Sequence, residues 1–379
     1  MTNPLLTRLI LQDFRSYPAL DLDIAGRMVA FTGENGAGKT NLLESISLFS
    51  PGRGLRRADL SHMAREKGAG GFAVAAELSG PFDPVRLGTG LEPPGPDGHG
   101  PRKYRMEGEP RSSAAAFTDY LRIVWLTPAF DGLFTGSAGD RRRFLDRLVL
   151  AIDPAHGARV NALERALRSR NRILEDHTPD PAWLDAVERE VAETGVAVAA
   201  ARREAVVQLS GLIAQERDDA SAFPWADIRL EGTIEAELAQ HAAVDVEDRF
   251  RTLLRNNRPR DRAAGRATIG PQASDLLVRH GPKDVAADRA STGEQKALLI
   301  GIVLAHARLV AAMSGMAPLV LLDEVAAHLD PRRRAALFDT LNALGSQVFM
   351  TGADGMMFTD LPTGAERFQV MPGTVERVR

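Results

Sequence analysis

The order of apolar and polar residues along the chain predicts an α/β domain that a long helical segment interrupts. Strand-type stretches occur at residues 8–13 and at Met28–Thr32, and a glycine-rich loop and an apolar helix follow the second one. A further strand is predicted at Ile123–Leu126, where Pro128 stops it. Strand and helix patterns alternate again near the C-terminus, at residues 292 onwards, 319–322, 331–344 and 347–351. The predicted sheet therefore takes strands from both ends of the chain.

Between these two regions the helical period dominates, and runs of β-branched residues are few. The predicted helices cover residues 141–152, 158–176, 182–217 and 234–256. Their apolar heptads are not sustained over many turns, which predicts a helical lobe rather than a long coiled coil. Residues 80–110 are rich in Gly and Pro and are predicted to form loops around a short hairpin.

These patterns predict three parts in the chain. They are an N-terminal part of an α/β head at residues 1–138, a helical lobe at 139–264 and a C-terminal part of the head at 265–379. An arginine- and glycine-rich connector separates the helical lobe from the returning α/β pattern.

Composition excludes several classes of protein. With 44% hydrophobic and 26% charged residues, the 379-residue chain has the balance of a globular protein. The net charge of -3 gives no overall positive field, so a polyanion would have to bind at local patches. Without cysteine there is no disulfide, thiolate zinc site or cysteine nucleophile. The longest apolar helix candidate contains His306 and Arg308, so we expect no membrane span and a cytoplasmic location.

The strongest motif is a loop that fits the phosphate-binding pattern G-x-x-x-x-G-K-[ST]. Its residues are Gly33, Glu34, Asn35, Gly36, Ala37, Gly38, Lys39 and Thr40. Glycines let backbone N–H groups approach phosphates, the lysine reaches the β- and γ-phosphates, and the hydroxyl binds Mg²⁺. The alternative is a glycine-rich turn with a surface lysine. The strand before the loop and the helix after it favour an ATP site.

A second candidate site is the pair of acids that ends an apolar strand, Asp323 and Glu324. Ligands of open α/β sheets bind at the carboxyl ends of the strands. We therefore predict that Asp323, with Thr40, holds Mg²⁺ and that Glu324 polarises the attacking water. Lys39, Asp323 and Glu324 form the predicted catalytic set. The alternatives are that both acids are simply solvated at a strand end, or that they mark the start of a helix, where the helix dipole favours acids.

The segment Ser291-Thr292-Gly293-Glu294-Gln295 begins a predicted helix. Ser291 and Glu294 fit a capping box, which needs no ligand. A helix N-terminus that carries Ser and Gly is also a receptor for a γ-phosphate, so both interpretations can hold together.

The order of these motifs resembles that of ABC-type ATPases, and residues 327–330 (AHLD) resemble the D-loop of that superfamily. The resemblance implies a head-to-tail dimer with two ATP molecules, in which Ser291 and Gly293 of one protomer complete the nucleotide site of the other. Lys39 and Asp323 lie far apart in the chain, as in heads of the SMC kind, but a long coiled coil is missing.

Further motifs are similar to the RecF recombination-repair family over nearly the whole chain. They are Leu9-x-Leu11-x-Asp13-Phe14-Arg15-Ser16-Tyr17, Leu126-Thr127-Pro128, Arg141-Arg142-Arg143-Phe144-Leu145-Asp146, Arg170-Asn171 and Thr268-x-Gly270-Pro271. The resemblance implies ATP-dependent dimerisation on DNA, slow ATP hydrolysis, and work with RecR- and RecO-type partners in loading RecA at gaps. It also implies roles in DNA repair, replication and the SOS response, and it places Arg15 near the nucleotide. This chain departs from the family at Gln272, where a His is usual, and at Glu324, where Asp is frequent.

Candidate DNA contacts are Arg53, Arg56 and Arg57, with residues 141–143 and 255–266 as further arginine patches. Clustered arginines neutralise phosphates without reading sequence, although they also form ordinary solvated faces and internal ion pairs. With only 3 Trp and 3 Tyr, the sequence predicts no extensive base-stacking surface, so we expect DNA binding to be backbone-driven, shape-dependent and salt-sensitive. The expected DNA partners are duplexes and single-strand/duplex junctions.

The resulting hypothesis is an ATP-gated DNA clamp. One alternative is an ABC-type ATPase coupled to another process such as transport. Transport ATPases carry a glutamine, in the Q-loop, after such a strand and a switch histidine later in the chain. Here no glutamine follows the Ile123–Leu126 strand, and Thr351 stands where the histidine would be. These differences and the split head argue against transport. The other alternative is a scaffold that only holds ATP, against which the intact set of Lys39, Thr40, Asp323 and Glu324 argues.

Overall fold

The computed structural model describes residues 3–95, 100–325 and 329–378. The chain divides into two compact units. Unit 1 contains Met1–Asp131, Ala220–Phe223 and Leu299–Arg379, and unit 2 contains Gly132–Asp219 and Pro224–Leu298. The predicted boundary at 264/265 falls inside unit 2, and the three-part division of the chain stays a prediction.

The strands of the described residues are, in chain order, β1 (Leu5–Phe14), β2 (Tyr17–Asp23), β3 (Met28–Thr32), β4 (Phe72–Ser79), β5 (Val85–Leu91), β6 (Arg102–Met106), β7 (Glu109–Arg111), β8 (Ile123–Leu126), β9 (Ala226–Glu231), β10 (Asp275–His280), β11 (Val285–Ala286), β12 (Leu319–Leu322), β13 (Val348–Gly352), β14 (Glu366–Met371) and β15 (Thr374–Val378). The α-helices are α1 (Lys39–Ser47), α2 (Ala138–Ile152), α3 (His156–Glu175), α4 (Pro181–Gln215), α5 (Thr233–Glu237), α6 (Ala243–Asn256), α7 (Arg258–Ala264), α8 (Thr292–Ser314) and α9 (Pro331–Leu344).

One sheet of unit 1 is six-stranded and antiparallel, in the order β2-β1-β4-β5-β6-β7. Its strands alternate between buried and more exposed residues, as a sheet with one covered face requires. Sequence patterns predicted only a short hairpin for residues 80–110, whereas β5, β6 and β7 extend this sheet. Gly90 explains part of the difference, because a Cβ there would lie 2.3 Å from the Phe72 carbonyl oxygen. The glycine permits a close strand pair, although glycine predicts a loop.

The second sheet of unit 1 has the order β15-β14-β3-β13-β12-β8, and all its pairs except β14–β15 are parallel. Every residue of β3, β8, β12 and β13 is buried. Strands covered on both faces have continuous apolar runs, which is why the sequence predicted them well. The sheet joins strands from both ends of the chain, and the carboxyl ends of β3, β12 and β13 lie along one edge.

Unit 2 combines α2 to α7 with a three-stranded antiparallel sheet in the order β11-β10-β9. The longest helix, α4, has 35 residues, and its apolar face packs with α3 and α6 around Val191 and Phe250. The predicted helix at 234–256 is two helices, α5 and α6, because Ala242 has an extended backbone. Sequence patterns missed β9 and placed α7 in a connector. The pairing of β9 with β10 holds residues beyond 264 in this unit.

A fully buried arginine, Arg170 of α3, joins several helices of unit 2. Its Nε donates to Glu188 Oε1 of α4 at 2.9 Å and its Nη1 to Asp261 Oδ2 of α7 at 2.7 Å. Its Nη2 donates to the carbonyl oxygen of Leu254 in α6 at 2.8 Å. Asp261 also accepts from the Thr268 hydroxyl at 2.7 Å, so two motif positions of the sequence meet at this one carboxylate.

Among the described ranges, one helix has the length and composition of a membrane span. It is α8, with a mean hydropathy of 1.9, and 67% of its apolar stretch is buried inside the protein. That burial is the environment of a core helix.

We expect Arg170→Ala to lower the free energy of unfolding of unit 2 by about 3–5 kcal/mol, because Asp261 keeps its buried charge and loses its guanidinium partner. Urea unfolding followed by circular dichroism measures the change. Arg168→Ala is the matched control, since Arg168 lies on the same helix, is 68% exposed and pairs with Glu164 at 3.7 Å. Equal stability of the two variants would refute the assigned role of Arg170.

Candidate functional site

The glycine-rich loop between β3 and α1 has a shape that only glycine permits at key positions. Gly33, Gly36 and Gly38 have φ angles of 149°, 84° and 113°. A Cβ at Gly33 would lie 2.3 Å from the Val370 carbonyl oxygen, and one at Gly38 would lie 2.8 Å from the Tyr17 hydroxyl oxygen. The loop therefore has the open backbone that phosphate groups require at the start of a helix.

Lys39 follows the last glycine of this loop, is the first residue of α1 and is buried. Its Nζ donates to the carbonyl oxygens of Gly33 at 2.6 Å and Glu34 at 2.8 Å. Burial lowers the pKa of Lys39, while the charges of Glu324 and Asp323 oppose that shift. A buried ammonium whose hydrogen-bond partners are neutral carbonyls favours a polyanion beside it, so the loop fits the phosphates of ATP.

The carboxylate of Asp323, just beyond β12, lies beside the loop. Its Oδ1 accepts from the hydroxyl of Thr40 at 2.9 Å and from that of Thr351 at 2.8 Å. Burial raises the pKa of Asp323, and these two hydrogen bonds oppose the rise. The structure thus brings Thr40 and Asp323 together across the chain. Mg²⁺ is usually bound by one or two such groups together with substrate phosphates, so this pair fits Mg²⁺.

Glu324, the next residue, has a left-handed backbone with φ of 54°. Its N–H donates to the Thr351 hydroxyl oxygen at 2.9 Å. In the sequence, Thr351 is notable only because it stands where a histidine would be in transport ATPases. A hydroxyl residue near the end of the strand that neighbours the acid-bearing strand is the pattern that would predict its contact with the acids.

Arg15, expected near the nucleotide, lies in the turn between β1 and β2 with φ of 52°. Its guanidinium binds both carboxylate oxygens of Glu44 in α1, at 2.8 and 2.9 Å. Glu44 is fully buried and was missed, because an acid in a helix normally predicts a solvated face. Tyr17 follows in β2 and donates to the Gly38 carbonyl oxygen at 3.2 Å. The N-terminal motif therefore supports the phosphate loop and its helix.

The three arginines after α1 are all exposed but differ in their contacts. Arg56 donates to Glu44 Oε2 at 3.2 Å, and Arg53 pairs with Asp59 at 3.3 Å. For the side chain of Arg57, the described part of the chain provides no hydrogen bond or ion pair. Its φ of 55° is a strained backbone for a non-glycine residue. Of the three, Arg57 offers the guanidinium that is available to an anion.

The other arginine patches are used largely within unit 2. Arg141 binds both oxygens of Asp275 at 2.7 Å, and Arg142 donates to the Ser274 carbonyl oxygen at 2.6 Å. Arg258 donates to Glu188 of α4 at 3.0 Å. The contacts of Arg141 and Arg258 are internal ion pairs, and that of Arg142 is an internal hydrogen bond to the backbone.

Ser291 begins α8 in unit 2 with the geometry of a capping box. Its N–H donates to Glu294 Oε2 at 3.0 Å, and the Glu294 N–H donates to Ser291 Oγ at 3.4 Å. Lys283 forms an ion pair with the same carboxylate. Ser291 and Gly293 are nevertheless exposed. In the D-loop-like segment, residues 327 and 328 lie outside the described residues.

Known proteins resemble this chain in sequence over nearly its whole length. Family models described as "AAA domain, putative AbiEii toxin, Type IV TA system" and "AAA domain" match residues 203–351 and 8–66. The chain is 56% identical over 370 residues to the DNA replication and repair protein RecF of Mesorhizobium japonicum, covering 98% of this chain and 97% of that one. It is 52% identical to the protein of that name in Rhizobium meliloti, covering 98% of each chain.

The chain belongs to the RecF family. The RecF assignment made from the motifs is confirmed by these relatives.

Solved structures agree on the fold. The recombination mediator protein RecF-ATPrS in the RecFOR pathway matches with a TM-score of 0.87 at 20% identity, covering 100% of this chain and 99% of that one. An SMC head domain from Pyrococcus furiosus matches with a TM-score of 0.53 at 17% identity, covering 99% and 96%. These likenesses confirm the predicted α/β fold class, which is that of the RecF and SMC head structures.

The ion pair at the start of α8 generates a prediction about acid pH. The pKa of Glu294 is lowered from 4.5 to about 2. The largest cause is the hydrogen bond from the Lys283 ammonium, and the hydrogen bonds from Ser291 are the next largest. The stabilisation from this carboxylate is therefore complete above about pH 4.5 and is lost as the pH falls through about 2. Carboxyl NMR titration measures this pKa, and Lys283→Gln raises it towards 4.5.

Lys103→Gln is the matched control, because Lys103 pairs with the exposed Glu92 at 3.6 Å. It leaves the pKa of Glu294 unchanged. A Glu294 pKa that stays near 4.5 in the unaltered protein contradicts the ion pair.

Proposed function

We propose that this RecF-family chain, a DNA replication and repair protein that binds ATP, works as an ATP-gated clamp on DNA. ATP binding drives two copies together on DNA, and slow hydrolysis to ADP and phosphate releases them. The observation that carries the proposal is the set formed by the buried Lys39 ammonium inside the glycine loop and the Thr40–Asp323 hydrogen bond beside it.

The residues of the site have distinct roles in this proposal. The backbone N–H groups of Gly33 to Thr40 and the Lys39 ammonium bind the phosphates. Thr40 and Asp323 would hold Mg²⁺, and the ion would supply positive charge against the developing charge of the phosphates. Glu324 polarises the attacking water, and Arg15, held by Glu44, supports the helix that begins at the phosphate loop.

The dimer is the second part of the proposal. Ser291 and Gly293 are exposed at the start of α8, where the helix dipole favours an anion. In the clamp they bind the nucleotide of the other protomer. The capping box is compatible with this role, because it leaves Ser291 exposed.

The partners follow from the family and from charge. DNA is bound through its backbone, at duplexes and single-strand/duplex junctions, by the arginines after α1. A RecR-type partner, with RecO, uses the clamp to load RecA at gaps in DNA. The protein does this in the cytoplasm. A solved relative is described as a mediator in the RecFOR pathway, which supports this proposal. Family membership also argues against the transport alternative.

Light scattering combined with DNA-binding anisotropy, with and without ATP and Mg²⁺, tests the clamp. We expect ATP to double the mass and to tighten duplex binding in the unaltered protein. Lys39→Ala loses both effects because the phosphates lose their cation, and Ser291→Arg loses both because the arginine blocks the cross-protomer contact. Glu324→Gln is the control: it binds ATP and dimerises but does not hydrolyse.

A protein that stays monomeric and ignores DNA whatever the nucleotide refutes the clamp. Full turnover in Glu324→Gln refutes the assignment of the general base.

Arg57→Ala tests the proposed DNA surface. We expect weaker binding to every duplex sequence and a salt slope reduced by about 1, since one phosphate contact is lost. Anisotropy over a series of salt concentrations measures both. Arg168→Ala, which removes an exposed arginine of unit 2, is the control and leaves the slope unchanged. An unchanged slope in Arg57→Ala removes this residue from the surface.

A further inference from the structure

Thr351 lies in the most central part of the parallel sheet of unit 1. It is in β13, between β3 and β12, and its side chain has no exposed area. In the register of β13 with β3 it faces Phe31, one residue before the strand end that leads into the phosphate loop. A hydroxyl at this depth must find hydrogen-bond partners, because an unpaired buried polar group is costly.

The partners of Thr351 give its hydroxyl a defined direction. Its Oγ1 accepts from the Glu324 N–H at 2.9 Å, so its single hydrogen is available for one acceptor. That acceptor is Asp323 Oδ1 at 2.8 Å. The result is a hydrogen-bond chain from the backbone of Glu324, through the Thr351 hydroxyl, to the carboxylate of Asp323.

These hydrogen bonds stabilise the backbone where β12 ends. The Asp323 N–H still bonds to the Leu126 carbonyl oxygen of β8 at 2.9 Å, which continues the sheet. At Glu324 the backbone turns to a left-handed conformation, which is unfavourable for a non-glycine residue. The Thr351 hydroxyl takes up the Glu324 N–H at this turn and so holds the strained residue in place.

Thr351 also fixes the carboxylate of Asp323. Two hydroxyls, those of Thr40 and Thr351, donate to the same oxygen, Oδ1. Within the described ranges no hydrogen bond reaches Oδ2, so that oxygen is available to a cation. Thr40 is also one of the two residues that fit Mg²⁺. Thr351 hydrogen-bonds the same carboxylate oxygen but is not one of those two residues.

We propose that Thr351 is a positioning residue for ATP hydrolysis, which sets both the carboxylate that holds the metal and the backbone of the residue that polarises water. It touches neither nucleotide nor metal and acts through Asp323 and Glu324. A histidine at this position would have a ring in place of the small hydroxyl between two neighbouring strands. The inference rests on the proposed ATPase function and adds to it a coupling between its two acids.

The test compares Thr351→Val, which has the same shape without the hydroxyl, with Thr351→Ser, which keeps the hydroxyl. Loss of a partner that orients a metal ligand typically costs about 10–100-fold in activity or metal affinity. We expect Thr351→Val to lower kcat by that factor, to leave KM for ATP nearly unchanged and to raise the Mg²⁺ concentration needed for half-maximal rate. Thr351→Ser restores most of the rate.

A second measurement needs no turnover. In the nucleotide-free protein, hydrogen exchange at the Glu324 amide should be about five- to tenfold faster in Thr351→Val, because its hydrogen-bond acceptor is gone. Thr351→Ser keeps the slow exchange. Thr340→Val is the matched control: the Thr340 hydroxyl donates to the Ala336 carbonyl oxygen at 2.7 Å in α9, away from both acids. It changes neither kcat nor exchange at Glu324.

The outcomes separate this inference from the proposed function. An unaltered protein that hydrolyses no ATP overturns the proposed function. If the unaltered protein hydrolyses ATP and Thr351→Val does so equally well, with the same Mg²⁺ dependence, the role of Thr351 is overturned. If Thr351→Val does not fold, Thr351→Ser decides: impaired turnover with fast exchange at Glu324 in that variant also overturns the role.

Discussion

The parallel register of β3, β13 and β12 is the constraint on which the rest of unit 1 depends. Thr32 of β3 lies beside Gly352 of β13, and Met350 of β13 lies beside Leu322 of β12. Parallel strands end at the same edge, so the phosphate loop after β3, the acids after β12 and the hydroxyl near the end of β13 meet there. A shift of one residue would turn every side chain of a strand to the opposite face and separate these groups.

Arginine has several structural roles in this protein, and burial distinguishes them. Arg170 is fully enclosed and satisfied by two carboxylates and a carbonyl, so it organises the helices of unit 2. Arg15 and Arg56 share one buried acid of α1, which ties the segments before and after that helix to it. Of the three arginines after α1, Arg57 is the one whose side chain has no hydrogen bond or ion pair within the described chain. The number of arginines therefore does not predict which of them bind DNA. The contacts of each guanidinium indicate whether it is available to a phosphate.

Sequence patterns predicted the parts of the fold that depend on local rules. Continuous apolar runs such as Met28–Thr32 and Leu319–Leu322 are strands covered on both faces, and the glycine-lysine motif is fixed by its backbone chemistry. Only a short hairpin was predicted at residues 80–110, where β5, β6 and β7 extend the antiparallel sheet, because Gly90 is typical of a loop but here permits a close approach to Phe72 of β4. Glu44 and Thr351 were missed for a related reason. Their roles arise from partners in other elements, which one sequence does not reveal.

The position of β3 in its sheet has a consequence for how the protein is made. Both neighbours of this entirely buried strand, β13 and β14, come from the last part of the chain, and the Val370 carbonyl oxygen of β14 approaches Gly33 of the phosphate loop. A ribosome that has released the N-terminal strands has therefore not yet supplied the partners of β3. The nascent chain carries an unpaired apolar strand through most of its synthesis, while unit 2 is assembled from segments made in between. The strands that flank the phosphate loop are therefore all present only after residue 370 has emerged from the ribosome.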